Sequence, residues 1–235
     1  MLCRIADFNF EINNKYFILP IHCKDYIIDD NNDIDYTIDL SDEQIESEVD
    51  VEGEHTVAYL ESIAAYRQIG EWLPLKNAFV LHAVTVDVGG VGVAFAARSG
   101  TGKSTHMMLW QKHLGDKMLV VNGDKPIVRF FDENKIYAYG NPWNGKEHLG
   151  CNMRTELKHI CFIERAEKNE TEPLSKGEAL DLILNQVYMP NNQAAAFNTF
   201  LLIDKLLSYC TLWRIKCNMD ISAAETAYAA ILGKE

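Results

Sequence analysis

The 235-residue sequence predicts an α/β fold: a mixed β-sheet flanked by helices, with a small β-rich N-terminal region. Three observations predict it. Apolar runs of strand character mix with runs of helical period, without the strict alternation of an all-parallel sheet. The hydrophobic fraction is 48%, enough for a sizeable core, and no window approaches about 18 uninterrupted apolar residues, so a membrane span is not expected. Residues 91–114 read strand, glycine-rich loop and helix in direct succession. We divide the chain into an N-terminal region, 1–56, and a main domain, 57–235.

The elements follow in order. Residues 2–10 and 16–20 read as strands around a turn signal at Glu11-Ile12-Asn13-Asn14. Residues 26–28 and 36–40 have alternating or β-branched character. Residues 41–54 interleave acids with Ile45, Val49 and Val51 and give no decisive signal. Residues 58–72 read as a helix, with Leu60, Ile63, Ala64 and Arg67 at helical spacing and Gly70 and Pro74 near its end. Residues 79–88 form a strand, Gly89-Gly90 a tight turn, and 91–97 a second strand. A helix over 104–114 presents Met107, Trp110 and Leu114 as its core face. An apolar strand over 117–121 ends at Asn122-Gly123-Asp124. Residues 127–131 and 135–139 form a hairpin across Asp132-Glu133-Asn134, and 140–154 is loop-like. A strand at 159–164 and a polar turn at 167–172 lead to a helix over 175–187, with Ser175 and Glu178 as a capping box. A helix at 194–208, a strand at 211–217 and a helix at 222–232 close the chain.

Charge excludes some partners. The formal net charge is −12, but 13 acids and no Lys or Arg lie in residues 25–54, which leaves the rest at +1. This balance argues against nucleic acid and anionic membrane surfaces as partners. The acidic segment reads either as a solvated face or as a docking surface for a basic acceptor. Asp7, Glu11 and Asn13 interrupt any apolar leader. The six scattered cysteines contain no CxxC pair, and no Cys/His spacing suggests zinc. A cytoplasmic setting with reduced thiols follows.

The chemistry-bearing motif is Ala97-Arg98-Ser99-Gly100-Thr101-Gly102-Lys103-Ser104-Thr105. It fits the phosphate-binding pattern G-x-x-x-x-G-K-[ST] except that Ala97 replaces the first glycine. Gly100 and Gly102 permit the dihedrals that turn successive N–H groups inward, and the helix N-terminus adds to that anion cradle. Lys103 supplies a point charge for phosphates, and the Ser104 hydroxyl suits Mg²⁺. Ser99, Thr101 and Thr105 complete the nucleotide-binding set. Asp124, at a strand end, is the candidate acidic metal partner, although Asn-Gly-Asp is also good turn chemistry. His82, opening the strand before the loop, reads equally as a catalytic and as a structural residue. Lys125, Lys146, Arg154 and Arg165 are candidates for stabilising a transferring phosphoryl group, or ordinary surface cations. Trp143, in an unusual Pro-Trp-Asn-Gly loop, either packs or covers a base or substrate.

These residues resemble the catalytic domain of HPr kinase/phosphorylase. The resemblance runs through His82-Ala-Val-Thr-Val-Asp-Val-Gly-Gly-Val-Gly-Val, the Ser-Gly-Thr-Gly-Lys-Ser loop and the apolar strand ending in an acid. The loop is also similar to the kinase motif of ATP-dependent phosphoenolpyruvate carboxykinase, which shares that P-loop fold. Ser99–His106 with Trp110, 122–126, 140–146 and Cys217-Asn218-Met219 look most like the HPr-kinase-like proteins often found beside peptide-modification genes. The resemblance covers roughly residues 58–232. It implies a P-loop kinase core of this type, ATP and Mg²⁺ as cofactors, and γ-phosphoryl transfer to a Ser/Thr hydroxyl of a peptide, small protein or small molecule. Lys103 matches the phosphate lysine, Ser104 the metal hydroxyl, and His82 the histidine of the family's strand, with Ala83 in place of its glycine. The family's paired aspartates are here Gly123-Asp124, so Asp124, His82 and Lys103 form the catalytic set, with Asp87 or Glu147 available for the missing acid's task. A nucleotide-binding accessory or sensor protein with little turnover is the alternative; a plain ATPase is a weaker third. Self-association into a homo-oligomer is left open.

Overall fold

The computed structural model describes residues 1–29, 33–49, 55–132 and 135–233. Strands β1 (Leu2–Ile5) and β2 (Phe8–Asn13) form an antiparallel hairpin. Its turn is Ala6-Asp7, with φ of 52° and 58°, not the polar stretch at 11–14. A two-residue hairpin turn favours this left-handed geometry even where glycine is absent. Tertiary bonds hold it: the Asp7 carboxylate accepts from the Tyr139 hydroxyl at 2.6 Å and from Arg154 at 2.9 Å.

The strand expected over 16–20 is instead helix α1 (Ile18–His22). Pro20 lies in its first turn, where a missing N–H costs no helical hydrogen bond. A 3₁₀ turn, Lys24–Tyr26, replaces the start of the strand expected at 26–28, and Ile27 keeps one bridge to Cys3. Strand β3 (Tyr36–Asp39) pairs parallel to β2 and completes a three-stranded sheet. Helix α2 (Asp42–Glu46) follows, closed by a Ser41–Gln44 capping box. Helix α3 (Val57–Trp72) forms as expected. Trp72, at its end, meets Phe8 and Phe10 edge-on at 5.0 and 5.5 Å and stacks on Tyr36 at 5.1 Å. One core therefore joins the small sheet, α3, the larger sheet's Val80, Ile127 and Tyr139, and Trp143 of the segment after it.

The larger layer contains β4 (Ala78–Val80), β5 (Ala83–Val88), β6 (Val91–Ala96), α4 (Lys103–Leu114), β7 (Met118–Asn122), β8 (Ile127–Phe131), β9 (Lys135–Tyr139) and β10 (Arg154–Arg165). It continues with β11 (Glu170–Pro173), α5 (Lys176–Leu184), α6 (Gln193–Tyr209), β12 (Thr211–Cys217) and α7 (Ile221–Ile231). Among the described residues these strands form a nine-stranded mixed sheet, ordered β4-β8-β9-β10-β6-β5-β7, with β12 beside β10 and β11 beside β12. Strand β10 runs parallel to β6 and β12; the remaining pairs are antiparallel. Helices α4 and α7 cover one face through Met107, Trp110, Ala223 and Ala227. Helices α5 and α6 cover the other, setting Ile183, Leu202 and Leu206 against Phe79, Ala94 and Phe162.

Strand β11 occupies the polar turn expected at 167–172. It is an edge strand held across the ladder by charge: Glu172 meets Arg214 and Lys216 at 3.2 Å each. The hairpin residues Glu133 and Asn134 lie outside the described residues. All six cysteines are free, and Cys151 alone among them is exposed. No helix of the described residues is long and apolar enough to cross a membrane.

His106, in the first turn of α4, is 2% exposed. Its Nε2 accepts from the Trp110 indole at 3.1 Å, and its Nδ1 lies 3.7 Å from Cys217 Sγ. Burial pushes this imidazole from 6.5 down to about 4. Between those values the unfolded chain binds a proton that the folded protein refuses, so stability falls as pH falls through that window. The loss is on the order of 3 kcal/mol at full burial. Urea unfolding at pH 7 and pH 4.5 checks this: His106→Gln should lose less stability than wild type over the same interval.

Candidate functional site

Register builds the site. Strands β5 and β6 pair with Ala83 opposite Ala96, and β5 and β7 pair with Thr85 opposite Asn122. The start of β5 and the ends of β6 and β7 therefore meet at one sheet edge. The strand expected over 79–88 is two strands, and His82 sits in the break rather than at a strand start. The break has a cause: β4 pairs with β8, whereas β5 pairs with β6 and β7. Between them the His82 N–H donates to the Gln186 carbonyl at 2.6 Å, and Ala83 N–H closes on Leu81 O at 3.0 Å.

The loop after β6 turns on Gly100 (φ 76°) and Gly102 (φ 122°). A Cβ on either would meet nothing within 4 Å, so dihedral freedom, not crowding, demands glycine. Thr101 N–H bonds Arg98 O at 3.1 Å. Arg165, at the end of β10, donates from Nε to Thr101 O at 3.0 Å and from its terminal nitrogen to Gly100 O. Arg165 thus braces the loop carbonyls and is not aimed at a transferring group. The first α4 bond runs from His106 N–H to Gly102 O at 2.9 Å. Lys103, Ser104 and Thr105 therefore carry first-turn N–H groups with no intrahelical acceptor, at the positive end of the helix dipole.

Lys103, His82 and Asp124 come into contact. Lys103 Nζ donates to Ala97 O at 3.0 Å and lies 3.1 Å from His82 Nε2. The same Nε2 is 3.3 Å from Asp124 Oδ1, and Asp124 Oδ2 is 3.5 Å from Lys125 Nζ. Buried Asn122 aims the acid: its Oδ1 accepts from the Asp124 and Lys125 N–H groups at 2.9 and 2.7 Å. Burial raises the Asp124 carboxyl, but the His82 hydrogen bond and the Lys125 charge outweigh it and hold the group below the usual carboxylate value. Desolvation lowers the Lys103 ammonium, opposed by Asp124 and reinforced by Lys125. One nitrogen cannot accept from Lys103 and donate to Asp124 at once, so His82 Nε2 is the point where the two bonds exclude each other.

The segment 140–150 closes over the end of β7. Gly123 N–H donates to Leu149 O at 2.8 Å. A Cβ on Gly123 would lie 2.8 Å from Asn144 O and 2.9 Å from Leu149 O. Trp143 anchors the segment, its indole N–H donating to the Ser62 carbonyl and hydroxyl at 3.0 Å each. At 8% exposure and 5.3 Å from the Tyr66 ring, Trp143 is a packing residue. A Cβ on Gly145 would sit 2.9 Å from Asp124 Cβ and 3.6 Å from Glu147 Oε2, so both acids flank this glycine.

Together these parts bound a cleft of about 980 Å³, lined by Ser99, Gly100, residues 102–105, His82, Asp124, Lys125, Lys146 and Glu147. Its far wall carries His22 and His148, with rings 6.4 Å apart, and Ser62 of α3, whose hydroxyl is 3.1 Å from His22 Nδ1. Burial first, and then His148, lowers the His22 imidazole. No local sequence signal marks these two histidines. Arg154 lies elsewhere, bound to Asp7 and Tyr139. Asp87 is at the far end of β5, about 16 Å along the strand from His82, where it accepts from Thr155 at 2.5 Å. Among the described residues no three His, Cys, Asp or Glu side chains gather as a metal site.

The acidic segment is partly consumed by internal pairs. Glu48 takes both Arg67 nitrogens at 2.6 and 2.8 Å, Asp42 takes Lys15 at 2.6 Å, and Asp35 takes the Asn9 N–H at 2.8 Å. Asp30, Asp50, Glu52 and Glu54 lie outside the described residues.

No protein-family model matches the sequence. No curated protein matches it either. Among solved structures, the Hpr(Ser) kinase/phosphatase from Coxiella burnetii aligns with 54% of this chain and 90% of its own, at 14% identity and a TM-score of 0.28.

Because two backbone carbonyls face Gly123, even Gly123→Ala should destabilise, by about 1–3 kcal/mol. Thermal unfolding checks this, and Gly123→Asp should fare worse without supplying a usable carboxylate. A Gly123→Asp protein as stable as wild type would contradict the close approach.

Proposed function

We propose that the chain is an ATP- and Mg²⁺-dependent kinase that transfers the γ-phosphoryl group to a Ser/Thr hydroxyl of a peptide, small protein or small molecule. The observation that carries this reading is the Lys103–His82–Asp124 contact at the mouth of a glycine-braced loop opening a helix. In this reading residues 57–235 hold the catalytic machinery, and 1–56 form a small β-rich region packed against it.

The first-turn N–H groups of Lys103, Ser104 and Thr105 hold phosphate oxygens, with Ser99, Gly100, Thr101 and Gly102 shaping the cradle. Lys103 adds a positive charge at the phosphates. The residues present fit a divalent cation: the Ser104 hydroxyl and the Asp124 carboxylate are hard oxygen donors beside that cradle. When bound, Mg²⁺ neutralises phosphate charge. Asp124 and Glu147 flank Gly145, so two carboxylates are at hand for the tasks of metal ligand and acceptor of the hydroxyl proton. His82, in its Nε2–H form, donates to Asp124 and fixes the carboxylate.

Gly123 does not favour the accessory reading. The closure of 140–150 requires glycine there, so its presence is explained by packing and is no mark of decay.

Incubation with labelled ATP and candidate hydroxyl acceptors tests the proposal. Lys103→Ala should reduce transfer about 100-fold or more, and Asp124→Asn comparably. Transfer that persists unchanged in Lys103→Ala, or wild-type ATP binding without transfer to any acceptor, would sink it.

A further inference from the structure

A second cavity, of about 580 Å³, lies on the other side of the loop, between β6, the end of β10 and the end of α5. That is within the usual range of small-molecule sites, about 300–1,000 Å³. Its walls are largely apolar, with Ala96, Phe162 and Leu182, and it shares Ser99 and Gly100 with the larger cleft. One ligand can therefore run along the loop from cavity to cleft.

Gln186 lines this cavity and is 5% exposed. Its side-chain Oε1 is buried and has no hydrogen-bond donor among the described residues. A buried acceptor left without a donor is costly, and native structures rarely keep one without a reason. The residue is held firmly by its backbone: its N–H bonds Ile183 O at 2.8 Å, and its carbonyl takes the His82 N–H at 2.6 Å.

We propose that this cavity takes the base of the bound nucleotide, and that the Gln186 side chain turns on binding so that its Oε1, sealed from the cavity without a ligand, accepts a hydrogen bond from the 6-amino group of adenine. The inference rests on the phosphate reading of the loop. His82, Asp124 and Lys125 stand on the cleft side. A triphosphate laid along the loop points its terminal phosphate toward them, and its nucleoside leaves on the β10 side. Apolar walls suit a flat heteroaromatic ring, and the carboxamide pairs a donor with its acceptor, as an adenine edge does.

Calorimetric titration of wild type with ATP, purine riboside 5′-triphosphate and tripolyphosphate tests this. Purine riboside triphosphate lacks the amino group and is otherwise close to ATP. Wild type should bind it about tenfold more weakly than ATP. Gln186→Leu should bind the two nucleotides alike, with tripolyphosphate affinity unchanged. Equal wild-type affinity for the two nucleotides, with tripolyphosphate still bound, overturns the base site and leaves the phosphate reading standing. Discrimination that survives Gln186→Leu removes Gln186 from the role. Failure of ATP and tripolyphosphate alike to bind overturns both readings.

Discussion

The cleft depends on a contact that admits no side chain. Gly123 lies against the Asn144 and Leu149 carbonyls, and this approach lets 140–150 fold over the end of β7. Gly140 is under the same constraint, since a Cβ there would lie 1.9 Å from Cys151 O. With the segment closed, Lys146, Glu147 and His148 become a wall of the cleft and Trp143 reaches Ser62 on α3. Gly123 is therefore what positions the opposing wall.

Electrostatics inside the cleft are local. The chain's charge of −12 says little about a site where Lys103, Lys125 and Lys146 face Asp124 and Glu147. Lys103, Asp124 and Lys125 are partly buried, so these three charges act on one another more strongly than surface pairs do. The pivot is His82, whose backbone is pinned while its Nε2 lies within reach of both an ammonium and a carboxylate. Its two bonding states differ in the side on which its proton resides, so the exchange needs no backbone movement.

Much of this was legible in the sequence where local chemistry decides it. Helix α3 declared itself by period, the loop by its glycines and Lys-Ser, and α5 by Ser175 and Glu178, which form the capping box. Features set by distant partners were not legible. The break at His82 arises because β4 and β5 pair with different strands. The Ala6-Asp7 turn persists through Tyr139 and Arg154, more than a hundred residues away. Arg165 reads as a free cation until parallel pairing of β10 with β6 carries it to the loop carbonyls. Strand β11 has the composition of a turn and becomes a strand only opposite Arg214 and Lys216.

Two adjacent residues of α3 tie the N-terminal layer to the cleft. Ser62 holds Trp143 and lies beside His22, while Glu61, fully buried, accepts from the Lys15 and Tyr16 N–H groups at 2.5 and 3.1 Å. A shift of α1 would therefore reach His148 through His22 and strain the anchor of 140–150 at the same helical turn. The acidic stretch acts on this layer first, through Glu48 on Arg67 of α3 and Asp42 on Lys15, rather than on the 97–105 loop. The exposed Asp42 pair contributes little, but the Glu48 carboxylate, 7% exposed, engages both Arg67 nitrogens and fixes the segment after α2 to α3. The small sheet and its acids thus support the wall of the cleft opposite the 97–105 loop.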